Sequence, residues 1–141
     1  MEIGLIAVGA AISLAAVGSA LGTGAAGMSA VGAWKKCFIQ NKPAPFLLLA
    51  FVGSPLTQTI YGYILMNTLS ESAAPEMIKL GAGIFGGLAI GFSAWQQGKA
   101  AAAAADAFVE TGKGFTNYLM VLGIIETVAL FVMVFLMILV G

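Results

Sequence analysis

The chain has 141 residues, 60% of them hydrophobic and only 9% charged, with a mean hydropathy of +1.02. That balance excludes an ordinary soluble domain and makes a membrane protein the default. Six lysines, no arginine and six acids give zero net charge, so there is no basic face to neutralise nucleic-acid phosphates.

A spanning helix needs about 20 apolar residues, and four runs meet that length. The first, residues 3–33, opens on "MEIGLIAVGAA". Glu2 stands where a secretory signal carries positive charge, so the stretch reads as the start of a mature membrane helix. Further along, "SALGTGAAGMSAVGA" sets Gly18, Gly22, Ala26 and Ala30 four apart, a small-residue stripe that lets helix backbones approach closely in lipid. The link "WKKCFIQNKPAP" carries Lys35, Lys36 and Lys42, read as positive-inside anchors, with Trp34 as a packing and interface residue.

The second run, 45–68, contains "SPLTQTIYG". Ser54, Thr57, Gln58 and Tyr61 follow i, i+3, i+4, i+7 and share one helix face. Pro55 has no N–H to donate, so the Phe51 carbonyl loses its helical partner and the helix is expected to kink there. After "NTLSESAAPE", with Glu71 and Glu76, the third run covers 76–108. It carries a second stripe, Gly83, Gly87 and Gly91, then Gln97 and "QGKAAAAAA". Lys99 is expected to snorkel or to pair with Asp106. The link "VETGKGFTN" leads to the fourth run, 115–140, where Glu126 sits in the middle of "VLGIIETVALFVM".

The predicted fold is therefore all-α, with four transmembrane helices in two fused hairpins, 1–68 and 69–141, assembling into a ring. The glycine-rich first and third helices are expected on the inside and the bulkier second and fourth outside. Lysine excess puts the first and third loops on the cytoplasmic side, and the second loop and both termini outside.

An acid at the centre of a spanning helix costs about 2.5–3.5 kcal/mol on insertion scales, and such residues are usually functional. Glu126 lies 11 residues beyond Phe115, Gln97 11 before Phe108, and Thr57 and Gln58 12 and 13 beyond Pro45. At 1.5 Å per residue these all fall roughly 16–20 Å from the same membrane face. The ligand atoms on offer are a carboxylate, two amide oxygens, a hydroxyl and kinked-backbone carbonyls. All are oxygen, with one negative charge in total, which suits a hard monovalent cation such as Na⁺. A proton on Glu126 also gives neutrality, and a purely structural hydrogen-bond network is the third reading. Tyr61, one turn along, is placed to hydrogen-bond the carboxylate. Enzymatic readings have little to build on. Cys37 is the only cysteine and histidine is missing, so there is no internal disulfide, no Ser-His or Cys-His pair and no usual transition-metal set. The chain also has no phosphate-binding loop with which to hydrolyse ATP.

With "SPLTQTIYG", "QGKAAAAAA" and "GIIETVAL" in order on a double hairpin, the chain resembles the ring proteolipid of V-type and A-type rotary ATPases, known as K or c, and most of all the bacterial Na⁺-translocating form. The resemblance implies a non-catalytic rotor component in a homo-oligomeric ring in the cell membrane, turning against a stator membrane subunit and carried on central stalk subunits. It implies Glu126 as the ion-carrying carboxylate and Thr57, Gln58 and Gln97 as side-chain Na⁺ ligands. It further implies a Ser54 backbone carbonyl as ligand and Tyr61 as the residue that locks the carboxylate. Ser54 stands where larger apolar residues also occur in that family. The competing readings are the same rotor carrying H⁺, a small four-helix exchanger, and a structural bundle.

Overall fold

The computed structural model describes residues 3–141; Glu2, read above as part of the helix start, lies outside the described residues. The elements are α1 (Ile3–Ile39), α2 (Leu48–Gly53), a 3-10 turn (Ser54–Leu56), α3 (Thr57–Glu71), α4 (Glu76–Thr111) and α5 (Phe115–Val140). Because α2, the turn and α3 run on without a break, they form one span, Leu48–Glu71, and four helices are long and apolar enough to cross a membrane. No strand occurs among the described residues. The chain is an integral membrane protein of the all-α class.

Helix ends overrun the apolar runs. "WKKCFI" contains no helix breaker, so α1 continues past 33 to Ile39, and the chain turns only where Asn41 takes a positive φ of 52° ahead of Pro43. α4 likewise runs to Thr111 and stops at Gly112, whose left-handed φ of 66° is one that glycine adopts without steric cost. The second span starts at Leu48 rather than 45, because the first turn at Pro45 and Phe46 is irregular.

The two glycine stripes are two sides of one contact. α1 and α4 lie side by side and parallel. A Cβ placed on Gly18 would strike the Gly91 backbone, one on Gly98 the Gly22 backbone, and one on Gly83 the Ala7 backbone. Side chains are thus excluded along most of this seam, and the helices are held by backbone-to-backbone contact. The span containing α3 packs antiparallel on α1, with Gly62 against Ala15 and Pro55 against Gly22. α5 lies antiparallel to α4, where Leu136 fills the space that a side chain at Gly86 would occupy.

Both ends of the bundle are tied. At the end holding the first and third loops, fully buried Phe51 packs on Phe115, Phe108 and Tyr118, with ring centroids 5.3, 6.2 and 6.2 Å away. Trp34 Nε1 donates to the Pro45 carbonyl at 2.8 Å. Lys36 Nζ reaches Asp106 at 3.0 Å and Glu110 at 3.4 Å, joining α1 to α4. This corrects the expected Lys99–Asp106 pair. Seven residues rise about 10.5 Å along a helix, too far for direct contact between those side chains. Lys99 instead lies over the Trp95 ring, 4.4 Å from its centroid. At the opposite end, Ser72 Oγ donates to the Val140 carbonyl and accepts from Ala74 N at 3.0 Å.

The seam makes a contrast between glycines testable. Gly98→Ala forces a Cβ into the Gly22 backbone, whereas Gly24 has nothing within 4 Å. Overpacking of this kind costs about 1–3 kcal/mol. Thermal unfolding in detergent is expected to show a clear loss for Gly98→Ala and none for Gly24→Ala.

Candidate functional site

The middle of the bundle holds a polar layer to which the second, third and fourth spans each contribute. It starts at Pro55. The Phe51 carbonyl, deprived of the proline N–H, is taken up twice by Ser54: by its backbone N–H, through the 3-10 turn, and by its Oγ at 2.8 Å. The expected loose carbonyl is therefore satisfied locally, and tightening into a 3-10 turn is how the backbone manages it. The turn aims the Ser54 carbonyl at the next residues, where Thr57 Oγ1 lies 3.2 Å away.

From α4, Gln97 Nε2 donates to the Leu122 carbonyl of α5 at 3.0 Å. Its Oε1 accepts from Gln58 Nε2 at 2.6 Å. Gln58 Oε1 is thereby turned towards Thr57 Oγ1, 3.2 Å away. Both glutamines are buried, at 0% and 1% exposure, so each amide end needs a partner. Because the Leu122 carbonyl can only accept, it fixes the orientation of both amides in turn.

Glu126 Oε1 meets Thr57 Oγ1 and accepts from the Tyr61 hydroxyl at 3.1 Å. Thr57 Oγ1 consequently has three acceptors around it: the Ser54 carbonyl, Gln58 Oε1 and Glu126 Oε1. A hydroxyl has one proton to give. Two of the three contacts are left as oxygen facing oxygen, beside a carboxylate, in the middle of a membrane helix bundle. A cluster of facing oxygens suits a positive charge, either a cation coordinated by the oxygens or a proton on Glu126. Among the described residues no group of three or more His, Cys, Asp or Glu is placed to hold a metal. Any cation here would therefore be held by neutral oxygens around a single acid. Glu126, Thr57 and Tyr61 are only partly buried, so the site opens on the outer side of the chain between α3 and α5.

All six residues singled out in the sequence lie in this layer, and Ser54 enters through its carbonyl. Sequence reasoning missed Ser93, whose Oγ donates to the Ile125 carbonyl at 3.0 Å. Together with Gln97 one turn further on, it pins α5 to α4 over the turn that leads into Glu126. The i, i+4 spacing of Ser93 and Gln97 was the available signal.

Residues 80–139 match the family model that describes the C subunit of ATP synthase. The matched residues lie within the second hairpin, where the chain is similar to that family, and they include Gln97 and Glu126. No curated protein matches the chain.

Gln97→Leu removes the second donor to the Leu122 carbonyl, which keeps its bond within the helix, and the acceptor for Gln58, whose buried amide N–H is left unpaired. The unpaired group costs about 1–3 kcal/mol, on top of the lost bond to Leu122. Ser93→Ala removes one hydrogen bond, for about 1 kcal/mol. Detergent unfolding is expected to rank Gln97→Leu well below Ser93→Ala, with wild type highest.

Proposed function

We propose that the chain is a rotor-ring component of a V-type ion-translocating ATPase, that copies of it form a ring in the cell membrane, and that each copy carries one Na⁺. The Glu126 carboxylate, the Thr57 hydroxyl, the Gln58 and Gln97 amide oxygens and the Ser54 carbonyl hold the ion, and Tyr61 secures the carboxylate. What carries this reading is the gathering of oxygens about Thr57, with Gln58 turned so that its Oε1 rather than its N–H meets the cluster. The match of the second hairpin to the ATP synthase proteolipid family supports the rotor assignment.

The physics of transport follows from charge. A bare carboxylate faces lipid only at high cost, and a filled, neutral site does so cheaply. Ring rotation then moves filled sites through lipid, and exchange happens where a stator membrane subunit supplies a basic group and a water path. Tyr61 holds Glu126 in the filled arrangement, and breaking that hydrogen bond frees the side chain to swing out. Moving each Na⁺ against 100 mV takes about 2.3 kcal/mol, supplied by a separate soluble head through central stalk subunits. The chain itself catalyses nothing. The first and third loops face the cytoplasm in this arrangement, where Lys35, Lys36 and Lys42 lie.

Carbodiimide labelling of the purified assembly near neutral pH tests the reading, because the reagent attacks a protonated carboxyl in apolar surroundings. The expected result is labelling of Glu126 that Na⁺ suppresses, and no labelling of Glu126→Gln. Labelling without Na⁺ protection at any concentration makes H⁺ the carried ion. Failure to label at all, with no ring on native gels, removes the rotor assignment.

A further inference from the structure

Ser19, on α1, stands behind the polar layer and has no role in the ligand set above. It is 3% exposed, and its Oγ is the one buried side-chain polar atom among the described residues without a hydrogen-bond partner. A buried hydroxyl left unpaired costs about 1–3 kcal/mol, so its position calls for a physical account.

Register supplies one. Gly62 of α3 lies against Ala15 of α1, and Pro55 lies against Gly22. The two helices run antiparallel here. One turn forward from Ala15 is Ser19, and one turn back from Gly62 is Gln58, so the two face one another. Gln58 Nε2 carries two N–H groups, and its only hydrogen bond among the described residues goes to Gln97 Oε1. By register, an unpartnered hydroxyl and a spare amide N–H therefore lie at the same level of the α1–α3 contact, both buried and without a direct bond between them. A buried water that bridges two such groups is the usual solution in a polar niche.

We propose that Ser19 is a positioning residue for the Glu126 site, its hydroxyl holding the second N–H of Gln58 through one bound water, so that Gln58 Oε1 stays aimed at Thr57 and Glu126. This rests on the reading of that cluster as a Na⁺ site. The Leu122–Gln97–Gln58 chain is anchored at one end by a carbonyl of α5, and Ser19 anchors it at the other from α1. An amide held at both ends presents its oxygen to the ion with little freedom left to lose on binding. Without Ser19 the side chain retains rotational freedom, and the cation site is less preorganised.

The test is the Na⁺ concentration that half-protects Glu126 from carbodiimide, measured on rings of the full-length chain for wild type, Ser19→Ala and Ser19→Cys. The expected shift for Ser19→Ala is about 2- to 10-fold upward, the worth of one neutral hydrogen bond. The weakly donating Ser19→Cys is expected to fall between Ser19→Ala and wild type. Ring yield and thermal stability are recorded alongside, since a merely structural role lowers these and leaves the half-protecting concentration where it was. An unchanged concentration in assembled Ser19→Ala rings overturns the proposal and returns the hydroxyl to its own helix. If Ser19→Ala does not assemble, an unshifted Ser19→Cys overturns it equally. Loss of Na⁺ protection in wild type itself takes down the Na⁺ reading, and this proposal with it.

Discussion

Between the faces of a bilayer there is no water to take up an unpaired polar group, so each one must be answered from within the protein. That constraint shapes this chain at every level. It makes all four spans helical. It turns the backbone at Pro55 into a 3-10 turn that returns the Phe51 carbonyl to Ser54. It also explains a recurring choice of acceptor. Ser29, Ser93 and Gln97 each cross from one helix to a backbone carbonyl of the next, at Ala102, Ile125 and Leu122. Helical carbonyls have a second lone pair, so they accept these bonds without giving up the helix.

Packing places the polar layer. Because α1 and α4 touch through glycine backbones, α4 lies deep enough to be flanked by α3 on one side and α5 on the other. Gln97 can then reach both Gln58 and the Leu122 carbonyl. Had the seam been filled with larger side chains, helix axes would stand farther apart and this chain of amides would not close. The division of composition follows. Small residues build the α1–α4 seam, while α5 exposes Ile124, Val128, Phe131, Phe135 and Ile138 on its outer side. The side chains of the polar layer lie between these two regions, where α3, α4 and α5 meet.

Much of this was legible from residue types and spacing. An acid within an apolar run singled out Glu126, the helical period grouped Ser54, Thr57, Gln58 and Tyr61, and rise per residue set Gln97 at the same depth. Glycines four apart announced close contact, although not that the two stripes meet each other. What stayed hidden has a common cause. The carbonyls of Leu122 and Ile125 belong to residues with no distinguishing side chain, so nothing in their identity marks them as acceptors. Amide orientation is likewise set by a partner on another helix. Lys99 and Asp106, offered as a pair on one helix face as the alternative to snorkelling, are separated by helical rise, and Asp106 takes Lys36 from α1 instead. The end of α1 overran its apolar run because "WKKCFI" carries two lysines yet no helix breaker, and a hydropathy boundary set at the lysines does not see that difference.

The unequal chemistry of the two hairpins also has a reason in this geometry. Gln58 faces Glu126 across the layer from the first hairpin, and an acid there would fail twice. A carboxylate has no proton to give Gln97 Oε1, so the amide chain would lose its central link. It would also put two like charges beside each other in a poorly solvated place, where one of them is forced to stay protonated. An amide avoids both, since it donates on one side and offers a neutral oxygen on the other. On the reading proposed above, the net charge of the layer then equals that of one monovalent ion in magnitude, and a single ion per four-helix chain leaves the whole site neutral.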